Sequence, residues 1–571
     1  MQSGLATLSE LFDGAKRFIV PKYQRAYAWE EEQLTDFFDD LLFHSSDRKY
    51  FLGTILLKTG ADSDDFEELE LVDGQQRLTT TVMCVDQLLK HIKGDSKIKY
   101  EKYIKYHNTY KLHVLDVDND FFQTYIIEER GQKNITTKTP SQSRLLFAQE
   151  YLKKRCSALK QEDLKRMLSI LEKSEILVYS VEDSAEASLI FETTNDRGKS
   201  LTYLEKIKSH LMYKAYLAGG NKSIALIDNI YSRFGEIYST IEALKVSFAK
   251  VHLSEVTEDQ ICQYHFITYH NWRSKREYQN FFDTLKNNLN EMLVAKKRER
   301  LLEYINEYTL SLKEFFNNLK SLVEYQSKPL KNIFFIGYVA AFYPIMTAAF
   351  RYANKSKSHE FEEFLTCLEN FSFRVFTMKF KRTNDVDVFL NELAFDFKGD
   401  FKETMKKIRA KIKELSPKKA FVANLKSENL YNEIDLTYFF WKYENVLRTA
   451  YQPKVAEMPY EEITDPDERF KITIEHITAQ TPKNGLKYSD TSEDFEEKYL
   501  HSLGNLTIDP RSSNASKGNE AWEAKSTYYF ERAPFKTQLE LSSFVHDKKW
   551  DEASIQNRAK TILAVMNDVW D

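Results

Sequence analysis

Cysteine, glycine and proline are all scarce in this chain. Four cysteines occur in 571 residues, at positions 84, 156, 262 and 367, with no CxxC pair. That spacing argues against a disulfide framework and a zinc ribbon. Sixteen glycines and eleven prolines are less than half of the roughly 12% of average usage. Collagen-like, low-complexity and turn-rich all-β chains are therefore set aside. No run of 18 apolar residues exists, and the nearest approach, Ile333 to Phe350, is broken by Gly337, Tyr338 and Pro344. The first thirteen residues lack a basic segment followed by an apolar one, so the expectation is a soluble cytoplasmic protein without membrane contact. There is no excess of one charge either: 81 basic and 86 acidic side chains leave −5. Any contact with nucleic acid has to use a local basic face.

Aromatic residues are plentiful, at 14%, and most of the chain carries helical apolar spacing. The first hundred residues are mixed. Phe18-Ile19-Val20 reads as extended, Trp29 to Leu42 as a helix, Tyr50 to Leu57 and Glu70 to Val72 as strands, and Leu78 to Leu89 as a helix. From about 100 to 450 long amphipathic helices dominate, with one strand, Glu175 to Val181, expected to return to the N-terminal sheet. A polar, acidic, proline-containing stretch at 453–469 reads as a boundary. Beyond it come two short strands, Lys471 to Ile474 and Leu506 to Ile508, and further helices. The expected organisation is a core at 1–100 completed by 175–215, a helical region at 101–454, and a separate domain at 455–571. The fold class is α+β, predominantly helical. Basic runs at 296–298, 379–382 and 406–411 read first as solvated helix faces.

Two N-terminal motifs concentrate polar chemistry. Asp73-Gly74-Gln75-Gln76-Arg77 joins a strand to a helix start. Free backbone N–H groups there suit phosphate, Gly74 allows close approach, and Arg77 offers a fork. Simple capping by Asp73 with Gln76 explains the same pattern. The segment Pro21 to Trp29, with Gln24, Arg25, Tyr23 and Tyr27, is a second cluster, read equally as a binding loop or as an aromatic anchor. Gly198-Lys199-Ser200 is not a P-loop, because the first glycine of that pattern is replaced by Thr193.

The C-terminal region holds an ordered set: Glu475-His476 after a strand, Asn505 in Gly504-Asn505-Leu506-Thr507, and Asn514 with Lys517. Metal-assisted phosphodiester cleavage needs a base for water and oxygen ligands for a divalent ion. His476 supplies the base, while Glu475 and Asn514 supply ligand oxygens. A lone histidine after a strand is more often structural, but three polar residues in this order favour the site.

These segments resemble a known family. Phe18 to Trp29 (FxVPxYQRxYxW), Phe51 to Thr54 (FLGT), Val72 to Thr80 (VDGQQRLTT) and Phe191 to Thr202 are similar to the DGQQR half of GmrSD-type restriction systems. Glu475 to Gln480, Gly504 to Thr507 and Asn514 are similar to their HNH (His-Me finger) nuclease half. The resemblance implies a ParB/sulfiredoxin-like α/β core, a helical middle and a ββα-metal nuclease domain. It implies a nucleotide site at Gln24, Arg25, Asp73, Gly74, Gln75, Gln76 and Arg77. It also implies His476 as general base, Asn505 as the residue that orients its loop, and Glu475 and Asn514 as ligands of Mg²⁺ or Mn²⁺. One departure is Ala479, where the family has proline. The function so implied is an NTP-regulated, modification-dependent endonuclease of bacterial anti-phage defence, with GTP, ATP and UTP not distinguished. Modified phage DNA is the expected partner. One HNH site cuts one strand, so a double-strand break requires a homo-oligomer or two events. The alternatives are a nucleotide-sensing DNA-binding regulator with an inactive HNH domain, and an NTPase whose nuclease is secondary.

Overall fold

The computed structural model describes all residues except 1–3, 46–47, 61–65, 95, 132–134, 182–201, 252, 354–357, 452–456, 459–470, 482–491, 567–568 and 571. Most of the motif at 191–202 and most of the stretch at 453–469 therefore lie outside the described residues. The chain forms two compact units, Met1–Glu324 and Tyr325–Asp571. It is a predominantly helical α+β protein.

The first unit is built on one mixed sheet. Its strands are β1 (Gly4–Thr7), β2 (Lys16–Ile19), β3 (Phe51–Thr59), β4 (Glu67–Asp73), β5 (Leu112–His113) and β6 (Glu175–Val181), in the order β1-β6-β3-β4-β2-β5. β3 runs parallel to β6 and antiparallel to β4. The strand expected to return does so, and it lies in the sheet interior, with Ile176, Val178 and Val181 buried.

Helices α1 (Glu31–Phe43), α2 (Gln75–His91), α3 (Pro140–Ser157) and α4 (Gln161–Lys173) cover the sheet and share one core with it. α2 is buried almost all round, so it is a central helix and not the amphipathic surface helix its spacing alone describes. Three long helices follow: α5 (Tyr203–Gly219), α6 (Ile224–Lys250) and α7 (Arg298–Val323).

In the second unit, helices α8 (Ser358–Phe371), α9 (Phe401–Leu415), α10 (Lys418–Leu425), α11 (Leu430–Glu433) and α12 (Thr437–Tyr451) precede a hairpin of β7 (Ile472–His476) and β8 (Leu506–Pro510). Then come α13 (Arg511–Lys517), α14 (Trp522–Glu531) and α15 (Glu552–Met566). Ile472, Leu506 and Ile508 of the hairpin share a core with Phe373, Phe439, Tyr443 and Trp570. The helical segment before the hairpin is thus part of the hairpin's own hydrophobic support. Glu444 of α12, fully buried, accepts the N–H groups of Lys536 and Thr537 and pairs with Arg448. Such a carboxylate is satisfied locally and acts as a clamp.

Candidate functional site

At the end of β4 the chain turns through Gly74, whose φ of 88° lies in the left-handed region, and enters α2. A Cβ there would meet Ile55 Cγ1 at 2.9 Å, so both conformation and space call for glycine. Gly74 is the helix N-cap, and no side chain caps the first turn. The capping role considered for Asp73 is therefore not taken up. Its carboxyl instead accepts from the Gly74 N–H. Burial pushes the Asp73 carboxyl up, while Gly74, Arg77 and Lys208 pull it down.

Both glutamines close on the 25–28 loop. Gln75 Nε2 donates to Arg25 O (3.2 Å), Gln76 Nε2 donates to Ala26 O (3.1 Å), and the Ala28 N–H donates to Gln76 Oε1 (2.8 Å). Gln24 Nε2 donates to Val72 O, and Tyr27 shares a hydrogen bond with Thr80 (2.8 Å). The two motifs are one structure, a loop stapled to a helix start. Arg77 lies across Gly53, where a Cβ would stand 1.9 Å from its Nη1. The glycine of the Phe51 to Thr54 motif thus makes room for the guanidinium.

Two residues that sequence reasoning missed complete this cluster. Glu205 Oε1 lies 3.3 Å from Arg25 Nε, and Lys208 Nζ donates to Tyr23 O (3.2 Å). Both come from α5, more than 120 residues downstream of the turn. Burial pulls the Lys208 ammonium down to about 8, against the opposing charges of Glu205 and Asp73. Glu205 is also the third residue of a capping box with Thr202, and that local use hides its second role.

The loop separates two spaces. Arg25, Gln75, Gln76 and Asp118 border a cavity of about 20 Å³. Beyond the loop lies a cleft of about 920 Å³, walled by Tyr23, Gln24 and Ala26 and by Tyr231, Tyr238 and Glu242 of α6. Glu242 Oε2 and Tyr238 OH are buried there without a hydrogen-bond partner among the described residues.

In the second unit, β7, β8 and α13 form a ββα arrangement. The register pairs His476 with Leu506 and Glu475 with Thr507, so successive side chains point to opposite faces. His476 is 6% exposed. Its Nε2 lies 3.1 Å from His501 Nδ1 and 3.2 Å from the Gln480 amide nitrogen. Its ring meets Tyr431 edge-on at 4.4 Å, and Tyr431 stacks on His501. Among the described residues its Nδ1 has no hydrogen-bond partner. Burial, then His501 and Lys525, hold the imidazole down to about 3, so it is neutral at physiological pH.

Asn505 is fully buried. Its Oδ1 accepts from the Thr478 N–H (2.9 Å) and from Trp550 Nε1 (3.2 Å), and its Nδ2 donates to Leu500 O (2.9 Å). It fixes the backbone just after His476, at Thr478 and before Ala479. Gly504 permits α15 to approach, since a Cβ would lie 2.0 Å from Ile555 O.

Glu475 sits on the other face. Its Oε1 accepts from Lys525 Nζ (2.7 Å) and Tyr529 OH (3.2 Å), and Lys525 also donates to His476 O (2.8 Å). Burial pushes the Glu475 carboxyl up and Lys525 opposes this. Asn514 Nδ2 donates to Thr473 Oγ1 (2.9 Å) and Ile474 O (3.4 Å). The structure therefore brings Asn505 and His501 to His476, brings Lys525 to Glu475, and brings Asn514 of α13 to Thr473 and Ile474 of the same strand. Among the described residues no group of three or more His, Cys, Asp or Glu is placed to hold a metal ion.

Two protein-family models match the chain. The GmrSD restriction endonuclease N-terminal domain covers residues 8–212, and the GmrSD restriction endonucleases C-terminal domain covers residues 417–565. The first lies within the first unit and the second within the second. No curated protein matches the chain.

Proposed function

From the premise that the chain is a GmrSD-type fused restriction endonuclease, cutting DNA in phage defence, we propose that it is an NTP-regulated HNH nuclease whose base is His476. The observation that carries this reading is a buried, neutral imidazole at the end of a ββα hairpin strand, with its loop fixed by Asn505 and its Nε2 against a second histidine.

The Gln480 amide N–H donates to His476 Nε2 (3.2 Å), which also lies against His501 Nδ1. These contacts hold the ring, and as a neutral imidazole it keeps one unprotonated nitrogen to take a proton from the attacking water. Lys525 holds the strand end through the His476 carbonyl and keeps Glu475 in place.

The donor set fits a hard divalent ion in kind. Mg²⁺ commonly takes only one or two protein oxygens, with water and phosphate completing its shell. Glu475 and Asn514 would hold it, with Lys525 now neutralising the carboxylate. A bound Mg²⁺ or Mn²⁺ would offset negative charge on the scissile phosphate. Strand alternation sets Glu475 apart from the base, so the ligand assignment has its own test. Metal titration should weaken in Glu475→Gln and Asn514→Ala while DNA binding stays unchanged. Unaltered metal affinity in both variants would remove these ligands.

In the first unit the uncapped start of α2, with Arg25, Arg77 and Lys208 near it, supports triphosphate binding. An NTP phosphate would compete with Glu205 for Arg25 and so shift the loop that walls the large cleft. The cleft is of small-ligand size, and it is the proposed place for the modified group of phage DNA. Regulation then runs through the 24–28 loop. The DGQQR motif at Asp73 to Arg77 supports NTP hydrolysis.

The experiment is single-turnover cleavage of matched unmodified and modified DNA with Mg²⁺ or Mn²⁺. His476→Ala should cut about 10²- to 10⁴-fold more slowly than the native chain. Equal rates would sink the assignment.

A further inference from the structure

We infer that the outer face of α9 is a DNA-tracking surface that feeds duplex toward His476; this rests on the nuclease reading of the second unit. Between Phe401 and Lys419 eight lysines and arginines stand against Glu403 and Glu414, in a chain whose net charge is −5. Phe401, Met405, Ile408 and Ile412 are buried, which leaves the rest of the helix surface outward. Glu403 and Glu414 stand on the face directly opposite the core, while on one flank of that surface, about 100° round the helix from the buried residues, Lys402, Lys406, Arg409 and Lys413 are exposed. Their spacing of four, three and four residues puts them within about 60° of one another, along about 16 Å of helix.

A solvated face would need no such alignment, and the usual self-neutralising pattern of alternating signs is absent from this stripe. Of the four, Lys406 pairs on its own helix, at 3.6 Å from Glu403, an exposed contact of little energetic weight. A row of like charges with about 5–6 Å between neighbours supplies about one cation for every one to two phosphates of a strand that carries one charge per roughly 3.4 Å of rise.

The stripe is also rigidly tied to the nuclease hairpin. Arg374 donates to Ser416 O at the end of α9 and to Trp570 O (3.3 Å). Phe373 and Trp570 belong to the same core as Ile472, Leu506 and Ile508. Beyond Ser416 the basic face continues through exposed Lys418 and Lys419 at the start of α10. The turn Lys379 to Arg382, also exposed in its basic side chains, adjoins α10 through Asn424 Nδ2 and Met378 O (3.4 Å). The chain then reaches Tyr431, whose ring touches His476. From Lys418 to Tyr431 the path is at most about 30 Å. A duplex of about 15 bp would therefore cover both stripe and site.

The test is the triple variant Lys402→Gln/Lys406→Gln/Lys413→Gln in the full chain; Arg409 is left alone because it also reaches the Cys367 thiol. Binding to an unmodified duplex of about 30 bp is followed by anisotropy over a salt series. Kd should rise about 10- to 100-fold, and the slope of log K against log salt should flatten by about 2 to 3 units. KM for cleavage should rise with kcat unchanged, and a Lys→Arg triple should retain native binding. The comparison variant Lys296→Gln/Lys297→Gln/Arg298→Gln removes the same charge from the first unit and should leave Kd unchanged. An unmoved Kd and slope in the α9 variant would overturn the proposal, and so would an equal loss in both triples. A His476→Ala chain that still cuts, beside an α9 triple that binds weakly, would instead fault the nuclease reading and leave the surface standing.

Discussion

At the scale of single residues, the pair His476 and His501 is the least expected feature. His501 belongs to none of the motifs, and it sits just before a strand. Only the register of β7 and β8 brings its Nδ1 to 3.1 Å from His476 Nε2. If His501 orients the base, His501→Phe should keep the stacking on Tyr431 but lower kcat about 10- to 100-fold with KM unchanged. His501→Asn, which can place an amide near the same point, should recover most of that loss. Equal losses in the two variants would assign His501 to packing.

Burial of His476 also has a pH signature. Its pKa falls from 6.5 to about 3 on folding, so between those values the unfolded chain binds the extra proton. Stability should therefore fall as pH drops through that window, by up to about 1.4 kcal/mol per unit from this group. His476→Ala should unfold with a shallower acid dependence. An unchanged dependence would mean that the imidazole is not buried neutral.

At the scale of elements, the strand–turn–helix at 67–91 and the hairpin at 472–510 were legible in sequence, because apolar alternation and glycine placement are local signals. Their partners were not. Glu205 and Lys208 lie on α5 and join Arg25 and Tyr23 only through tertiary packing. The resemblance puts the glutamines of the turn in a nucleotide site, yet their amides bind the loop backbone. No periodicity encodes a side-chain-to-backbone staple.

That staple predicts that Gln76→Ala leaves the Ala28 N–H and Ala26 C=O short of partners. It should cost about 1 to 3 kcal/mol and raise proteolytic cleavage near residues 24–28. Native resistance there would contradict the staple. On the hairpin, Lys525→Met leaves Glu475 buried without its cation. Thermal unfolding should show a loss of about 3 to 5 kcal/mol, largely restored in the double variant with Glu475→Gln. A single variant as stable as the native chain would show that this pair does not hold the strand.

At the scale of the whole molecule, two units each carry one half of a restriction system. The boundary read at 453–469 reflects a real change of composition. The hairpin nevertheless depends on helices before it, since Ile472, Leu506 and Ile508 need Phe373, Phe439 and Tyr443 to cover them. Composition marks where a chain is polar, and shared burial decides which segments fold together. No helix among the described residues is long and apolar enough to cross a membrane.

The central claim is that nucleotide chemistry in the first unit controls cutting by His476 in the second. It is tested most directly by measuring NTP turnover and DNA cleavage side by side in the native chain, Arg77→Ala and His476→Ala. The account predicts that His476→Ala loses cleavage and keeps NTP turnover, while Arg77→Ala loses turnover and with it any effect of NTP on cutting. Native cleavage in His476→Ala, or native turnover and NTP response in Arg77→Ala, would contradict it.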